Sequence, residues 1–275
     1  MRTNNPDFIE ALARGLDVIR GFGPTHRRMS LTEVADAAGL ARPTARRVLI
    51  TLAEMGYVRA EDGAFSLTPR VLELGMAYVA SSNLWELTRH HLRDLVAATG
   101  ESCSIAQLDG SDIVYVSRVA VPKLVTLSVT VGTRFPAAVT SLGKILLAAL
   151  APEELDAALA LPSRSDVSPA APLDRVELER ALREVRARGW AVTDQQLATA
   201  VRSVAAPIRN GDGRVVAAIN VNAHAIETSL DTLVDVHLPK LLATASAISA
   251  DWALWDAKPL EQVARPALES AAPTR

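Results

Sequence analysis

The stretch from Leu31 to Val48 constrains the fold more than any other part of the chain. Its apolar residues fall into two helical sets, Val34, Ala35 and Ala38, then Leu40, Ala45 and Val48. Gly39 separates them, at the point where a tight turn needs positive φ. Small residues at Ala35 and Ala45 let two short helices cross closely, as a helix-turn-helix requires. The remaining face of the second helix offers Arg42, Thr44, Arg46 and Arg47. From Arg14 to Arg47 seven arginines stand against three acids, Asp17, Glu33 and Asp36, inside a chain whose net charge is −2. A charge run is usually a solvated face, but this one coincides with the apolar spacing and the turn glycine, and a local basic excess is the footprint of a phosphate-seeking surface. Downstream, residues 56–60 and 64–67 flank Glu61, Asp62 and Gly63, a hairpin with a tight turn. Together these predict a winged helix-turn-helix. Pro43, Thr44, Arg46 and Arg47 would enter the major groove, and the wing would lie along the backbone or in the minor groove; Arg42, Arg28 and Arg59 complete the expected DNA-binding set.

The chain has 275 residues, 49% hydrophobic and 22% charged, a balance that predicts a globular protein of about two domains. No apolar run approaches the ~20 residues of a membrane helix. The single Cys103 argues against a disulfide framework and a cysteine-based zinc site, and the N-terminus lacks the apolar core of a secretory signal, so a cytoplasmic protein without a membrane partner is expected. Four zones follow from the patterning. Residues 7–68 form the DNA-binding head, residues 69–99 read as near-continuous linker and dimerisation helix, and residues 100–252 alternate strand-like and helix-like runs. Residues 253–275, with Pro259, Pro266 and Pro273, have the composition of a disordered tail. In the third zone residues 102–108, 112–119, 125–131 and 215–223 read as strands. Residues 141–150, 153–161, 174–188 and 230–249 read as helices, an α+β arrangement without regular βαβ alternation.

Asn220, Asn222 and His224 share one face of an otherwise apolar strand, which is either a solvated edge or the floor of a pocket. Ser203 is a second polar insertion, and Thr193 and Asp194 follow another short strand. Thr140 suits an N-cap, and the helix it starts would offer backbone N–H groups and the positive end of its dipole to a carboxylate; a plain capped helix shows the same pattern. Catalytic signals are weak. Residues 139–143 miss the nucleophile elbow G-x-S-x-G by the first glycine. His90 and His91 are adjacent on a helix and point to different faces, so they lack the i, i+4 spacing of a chelating pair. Neither a phosphate-binding loop nor a dinucleotide fingerprint is present, so no metal, cofactor or catalytic residue is expected.

Residues 30–35 with Gly39 and Leu40, residues 44–47, 52–57, 67–75 and 140–144 together resemble the IclR-type bacterial transcription regulators, over residues 9–252. Residues 13–22, 100–104, 112–116 and 125–132 look most like the branch that regulates protocatechuate, 4-hydroxybenzoate and β-ketoadipate catabolism. The resemblance implies a winged helix-turn-helix head, a linker helix and a GAF-like α/β effector-binding domain. It implies a homodimer or tetramer on double-stranded DNA with a palindromic or repeated operator. Residues 71–79, apolar on most faces, are consistent with a helix buried against a second subunit. Position by position the resemblance carries the effector site to Ser141, Leu142, Thr193 or Asp194, Ser203, Asn220 and Asn222. Tyr115 and Arg134 join them because an aromatic acid favours a ring contact and a guanidinium grips a carboxylate. Ala41 departs from the family, which often places a capping serine there. The expected protein is a regulator of a catabolic operon controlled by a small carboxylate; a sensor module without a DNA role, or an enzyme acting on a small acid, are the alternatives.

Overall fold

A computed structural model of the protein describes residues 5–23, 25–75, 78, 84–122, 129–167 and 174–256. The chain divides between Asn83 and Leu84 into two compact units. The division falls inside the 69–99 segment. Residues 125–128 of the expected strand at 125–131 and most of the expected tail lie outside the described residues, and residues 129–131 are not in a strand.

The first unit holds α1 (Glu10–Arg20), α2 (Leu31–Ala37) and α3 (Arg42–Glu54), with short strands β1 (Met29–Ser30), β2 (Val58–Glu61) and β3 (Ala64–Leu67) in the order β1-β3-β2. Ser30 starts α2 by a capping box. Its hydroxyl accepts from the Glu33 N–H at 3.4 Å, while the Glu33 carboxylate accepts from the Ser30 N–H at 2.7 Å. The Ser30 backbone N–H, and secondly the Ser30 hydroxyl, hold the Glu33 carboxyl below its usual range. Gly39, at φ +63, ends the helix as the Leu40 N–H turns back to the Ala35 carbonyl at 2.8 Å. Ala41 gives α3 no side-chain cap, and Pro43 pre-sets its first turn. Val18, Met29, Val34, Leu49, Leu52 and Val58 form the core between the three helices and the hairpin. Asp62 and Gly63, both at positive φ, make the two-residue turn of the wing.

Among the described residues the second unit is built on an antiparallel sheet of six strands: β4 (Ser102–Asp109), β5 (Asp112–Val119), β6 (Arg134–Pro136), β7 (Ala191–Asp194), β8 (Val201–Arg209) and β9 (Val215–His224). They are ordered β6-β5-β4-β9-β8-β7. The two long helices α4 (Leu84–Thr99) and α8 (Leu238–Asp256) pack on each other and on the sheet; α8 runs four residues past the 252 boundary into the segment expected to be a tail. Between β6 and β7 come α5 (Ser141–Ala148), α6 (Pro152–Ala160) and α7 (Arg175–Arg188). Leu142, Ile145 and Leu147 of α5, with Leu178, Leu182 and Val185 of α7, cover the sheet through Ala106, Tyr115, Ala205 and Ala218. Every residue of α5 is buried. Gly143 is required there, because a Cβ would fall 2.1 Å from the Ala137 carbonyl oxygen; its small size serves this packing. Among the described residues no helix is long and apolar enough to cross a membrane.

Candidate functional site

In the first unit Ala45, Leu49 and Leu52 bury one face of α3 and so turn Arg42, Pro43, Arg46 and Arg47 to solvent, with Thr44 half-buried beside them. Arg42, Arg46 and Arg47 make no ion pair among the described residues, which leaves their donors for phosphates or base edges. Arg28 and Arg59 differ. Arg28 donates to the Glu61 carbonyl at 2.8 Å and lies 3.2 Å from the Asp62 carboxylate, and Arg59 is 3.6 Å from Glu61. Both are tied to acids of the wing, so their charge is partly spent within the hairpin.

In the second unit the strand register assembles a polar surface. Thr193, Ser203, Asn222 and Ser102 face one another across β7, β8, β9 and β4. Asn220, Ser104 and Arg118 form the next row, on β9, β4 and β5. Directly paired residues project to one face, and rows two residues apart are separated by about 7 Å. Over this face lies the start of α5. Thr140 caps it by accepting from the Gly143 N–H at 3.0 Å, so the Ser141 and Leu142 N–H groups remain at a helix end with no intrahelical partner. The Ser203 hydroxyl joins the two parts, 2.5 Å from the Ser141 Oγ and 3.1 Å from the Thr193 Oγ1.

A cavity of about 20 Å³ is enclosed between them. Seven of the nine expected effector-site residues line it: Tyr115, Ser141, Leu142, Thr193, Ser203, Asn220 and Asn222. Phe135 adds a second ring, edge-on to Tyr115 with centroids 5.7 Å apart. Burial pushes the Tyr115 hydroxyl up to about 12, against a smaller opposing pull from Arg118, so it stays a donor at neutral pH. The buried Asn220 Oδ1 has no hydrogen-bond partner. A site of this volume holds roughly one water, whereas a cavity of about 150 Å³ holds benzene, so a ring enters only as the lining moves apart. The β7–β8 connection beside it carries Gln195 and Ala200 at φ 55 and 66, backbone strain adjacent to lining residues Leu197 and Val201.

Arg134 and Asp194 are not brought to this cavity. Arg134 pairs with Asp109 at 2.7 Å and with the buried Asp112 at 3.3 Å. Asp194 alternates with the inward Thr193 on β7 and accepts from Arg202 at 2.6 Å. Arg134 was expected on its charge and Asp194 on the resemblance, as the alternative to Thr193; each charge is consumed by a neighbour the sequence does not show. Arg118 was missed. Its guanidinium donates to the Ser104 Oγ at 2.9 Å, its Nε is buried without a partner, and burial lowers its pKa; no carboxylate among the described residues pairs with it. Its signal lay in the strand 112–119, but a bulge opposite Ile105 and Ala106 sets which residues share the Tyr115 face. Lys144 is also buried, bonded to Gln196 at 2.5 Å, and is pushed down to about 8 by burial and, secondly, by Arg188.

Among the described residues that line the cavity there is no histidine, carboxylate, lysine or cysteine that could act as a base on Ser141. Cys103, buried and pushed up to about 12, is an inert thiol. His90 and His91 do not point apart as their adjacent helical positions suggest. Adjacent helical residues diverge by about 100° at the backbone, yet the His90 and His91 rings swing back to a centroid distance of 3.9 Å, and His91 meets Asp251.

The chain matches the description "Bacterial transcriptional regulator IclR C-terminal" over residues 76–250 and "IclR helix-turn-helix domain" over residues 11–62. It is 36% identical to the Pca regulon regulatory protein of Pseudomonas putida, over 88% of this chain and 84% of that protein. It is 31% identical to the p-hydroxybenzoate hydroxylase transcriptional activator of Acinetobacter baylyi, over 88% and 91% of the two. A Rhodococcus crystal structure assigned as a transcriptional regulator is 46% identical, with a TM-score of 0.76, covering 90% of this chain and all of that one.

Proposed function

Since the chain belongs to the IclR family of bacterial transcriptional regulators and is no enzyme, we propose that it controls an operon of aromatic-acid catabolism. Its effector would be a hydroxylated aromatic acid bound in the cavity beneath α5. The observation that carries this reading is the pairing, within one cavity, of two aromatic rings with polar groups at two levels. The carboxylate sits at the Ser141 and Leu142 N–H groups and the Ser141 and Ser203 hydroxyls, where the helix dipole favours an anion. The ring lies against Tyr115 and Phe135. About 7 Å away, one row along the sheet, a ring hydroxyl donates to the unpartnered Asn220 Oδ1.

In the head, α3 enters the major groove through Arg42, Pro43, Thr44, Arg46 and Arg47, and the wing approaches the backbone through Arg28 and Arg59. The protein acts in the cytoplasm as a homo-oligomer on a two-fold or repeated operator. An apolar groove of about 550 Å³ between α1 and α3, bordered by the exposed Leu12, Leu16, Met55 and Leu74, supports this, because a monomer rarely leaves such a patch uncovered. The effector acts by binding one state of the protein more tightly than the other and thereby shifts operator affinity.

Calorimetric titration of the full chain with 4-hydroxybenzoate, protocatechuate and benzoate tests the site. The hydroxylated acids should bind about tenfold or more tighter than benzoate, because only they satisfy the buried Asn220 oxygen. Ser203→Ala should weaken all three acids while leaving DNA binding without effector intact. Equal affinity for the three acids would refute the assignment of the Asn220 level.

A further inference from the structure

His91 on α4 and Asp251 on α8 stand 160 positions apart in sequence, yet their ligating atoms and that of His90 all lie within 4.8 Å of one another. We propose that these three side chains form a binding site for a borderline divalent transition ion of the Zn²⁺ or Ni²⁺ class, bridging the first and last helices of the second unit. The cluster is remote in composition from the effector cavity, which none of the three residues lines. Two imidazoles and one carboxylate are the donor set such ions prefer, whereas Mg²⁺ and Ca²⁺ require a shell of oxygens.

The support is rigid on both sides. Leu92 and Leu95 anchor α4 in the core, and Ala245 and Ile248 anchor α8. His91 Nε2 and the Asp251 Oδ2 are already 2.8 Å apart, with the His91 side chain 17% exposed and that of Asp251 39% exposed. Tetrahedral ligands at Zn–N distances near 2.0–2.1 Å stand about 3.4 Å from one another. The contraction from 4.8 Å falls to His90, which is exposed, makes no hydrogen bond among the described residues and is free to turn about its side-chain bonds. When Nε2 of His91 takes the ion, the proton it shares with Asp251 leaves to solvent from an imidazolium or is carried on Nδ1 of the neutral ring, and the carboxylate becomes a ligand. Three protein donors leave the remaining coordination positions to water.

The test uses the untagged, chelator-treated full chain in equilibrium dialysis against Zn²⁺ and Ni²⁺, with bound metal counted by mass spectrometry and thermal melting recorded in parallel. The expected result is one ion per chain and a rise in Tm of roughly 5–10 °C at a hundredfold excess over Kd, with no shift in Mg²⁺ or Ca²⁺. His90→Ala and Asp251→Asn should each weaken binding by about tenfold or more, and His224→Ala should leave it unchanged. His90→Ala removes no hydrogen bond, and Asp251→Asn keeps an oxygen facing His91, so each variant retains the fold. Absence of bound ion at about 100 µM metal, or binding unaffected by both substitutions, overturns the site.

Discussion

Lys144 offers a quantitative test of how the effector helix is held. It is 7% exposed, and burial, assisted by the nearby Arg188 charge, lowers its pKa from 10.5 to about 8. A shift of this size corresponds to about 3 kcal/mol between the charged and neutral forms. Because the folded pKa lies below the unfolded one, the unfolded chain binds more protons between the two values. Stability therefore carries the full penalty below pH 8 and rises as the pH climbs toward 10.5. Lys144→Met keeps a similar shape and removes the titrating group. The difference in unfolding free energy between wild type and variant should then change by about 3 kcal/mol in favour of wild type from pH 7.5 to pH 10.5. All four tryptophans, Trp85, Trp190, Trp252 and Trp255, lie in the second unit, so urea unfolding followed by tryptophan fluorescence reports that unit alone. Parallel pH profiles for the two proteins would refute the claim that Lys144 is held as a buried cation at a cost.

Three further outcomes are expected. Arg46→Ala should reduce the slope of log affinity against log salt by about one if Arg46 meets a phosphate, or leave the slope and relax one base preference if it reads a guanine; an unchanged DNA titration would remove it from the interface. Asp112→Ala should cost the second unit about 3 kcal/mol in urea unfolding. The buried carboxylate accepts from the Ser163 hydroxyl, the Arg164 N–H and Arg134, and its loss strands those donors. Ala200→Gly should stabilise the same unit by about 1 kcal/mol, since glycine accepts φ 66 without the Cβ clash; destabilisation by that amount would show that no strain is stored there.

The fold was legible where local chemistry decides it. Gly39 and the small Ala35 and Ala45 mark the helix-turn-helix because close crossing tolerates nothing larger, and Asp62 with Gly63 marks the wing because both need positive φ. Thr140 was readable as a cap for the same reason. Charge was less informative than shape. Arg134 looked like a ligand-gripping residue and Asp194 stood as the alternative to Thr193, yet Asp112 and Arg202 neutralise them across strands, a pairing fixed by register. Arg118 stayed hidden because the bulge in β4–β5 decides which residues share a face with Tyr115. The His90, His91 and Asp251 cluster depends on α4 meeting α8, and local periodicity cannot report a contact between opposite ends of a domain.

An acid-binding cavity and a DNA-reading head in one chain are both addressed by a single titration. Duplexes selected from a random pool by the full chain, then titrated by fluorescence anisotropy with and without 4-hydroxybenzoate or protocatechuate, should contain paired half-sites. Their affinity should change by about fivefold or more on adding the effector, with the change abolished in Ser203→Ala. Acid binding proven by calorimetry, together with an operator affinity that stays the same at saturation, would contradict the account.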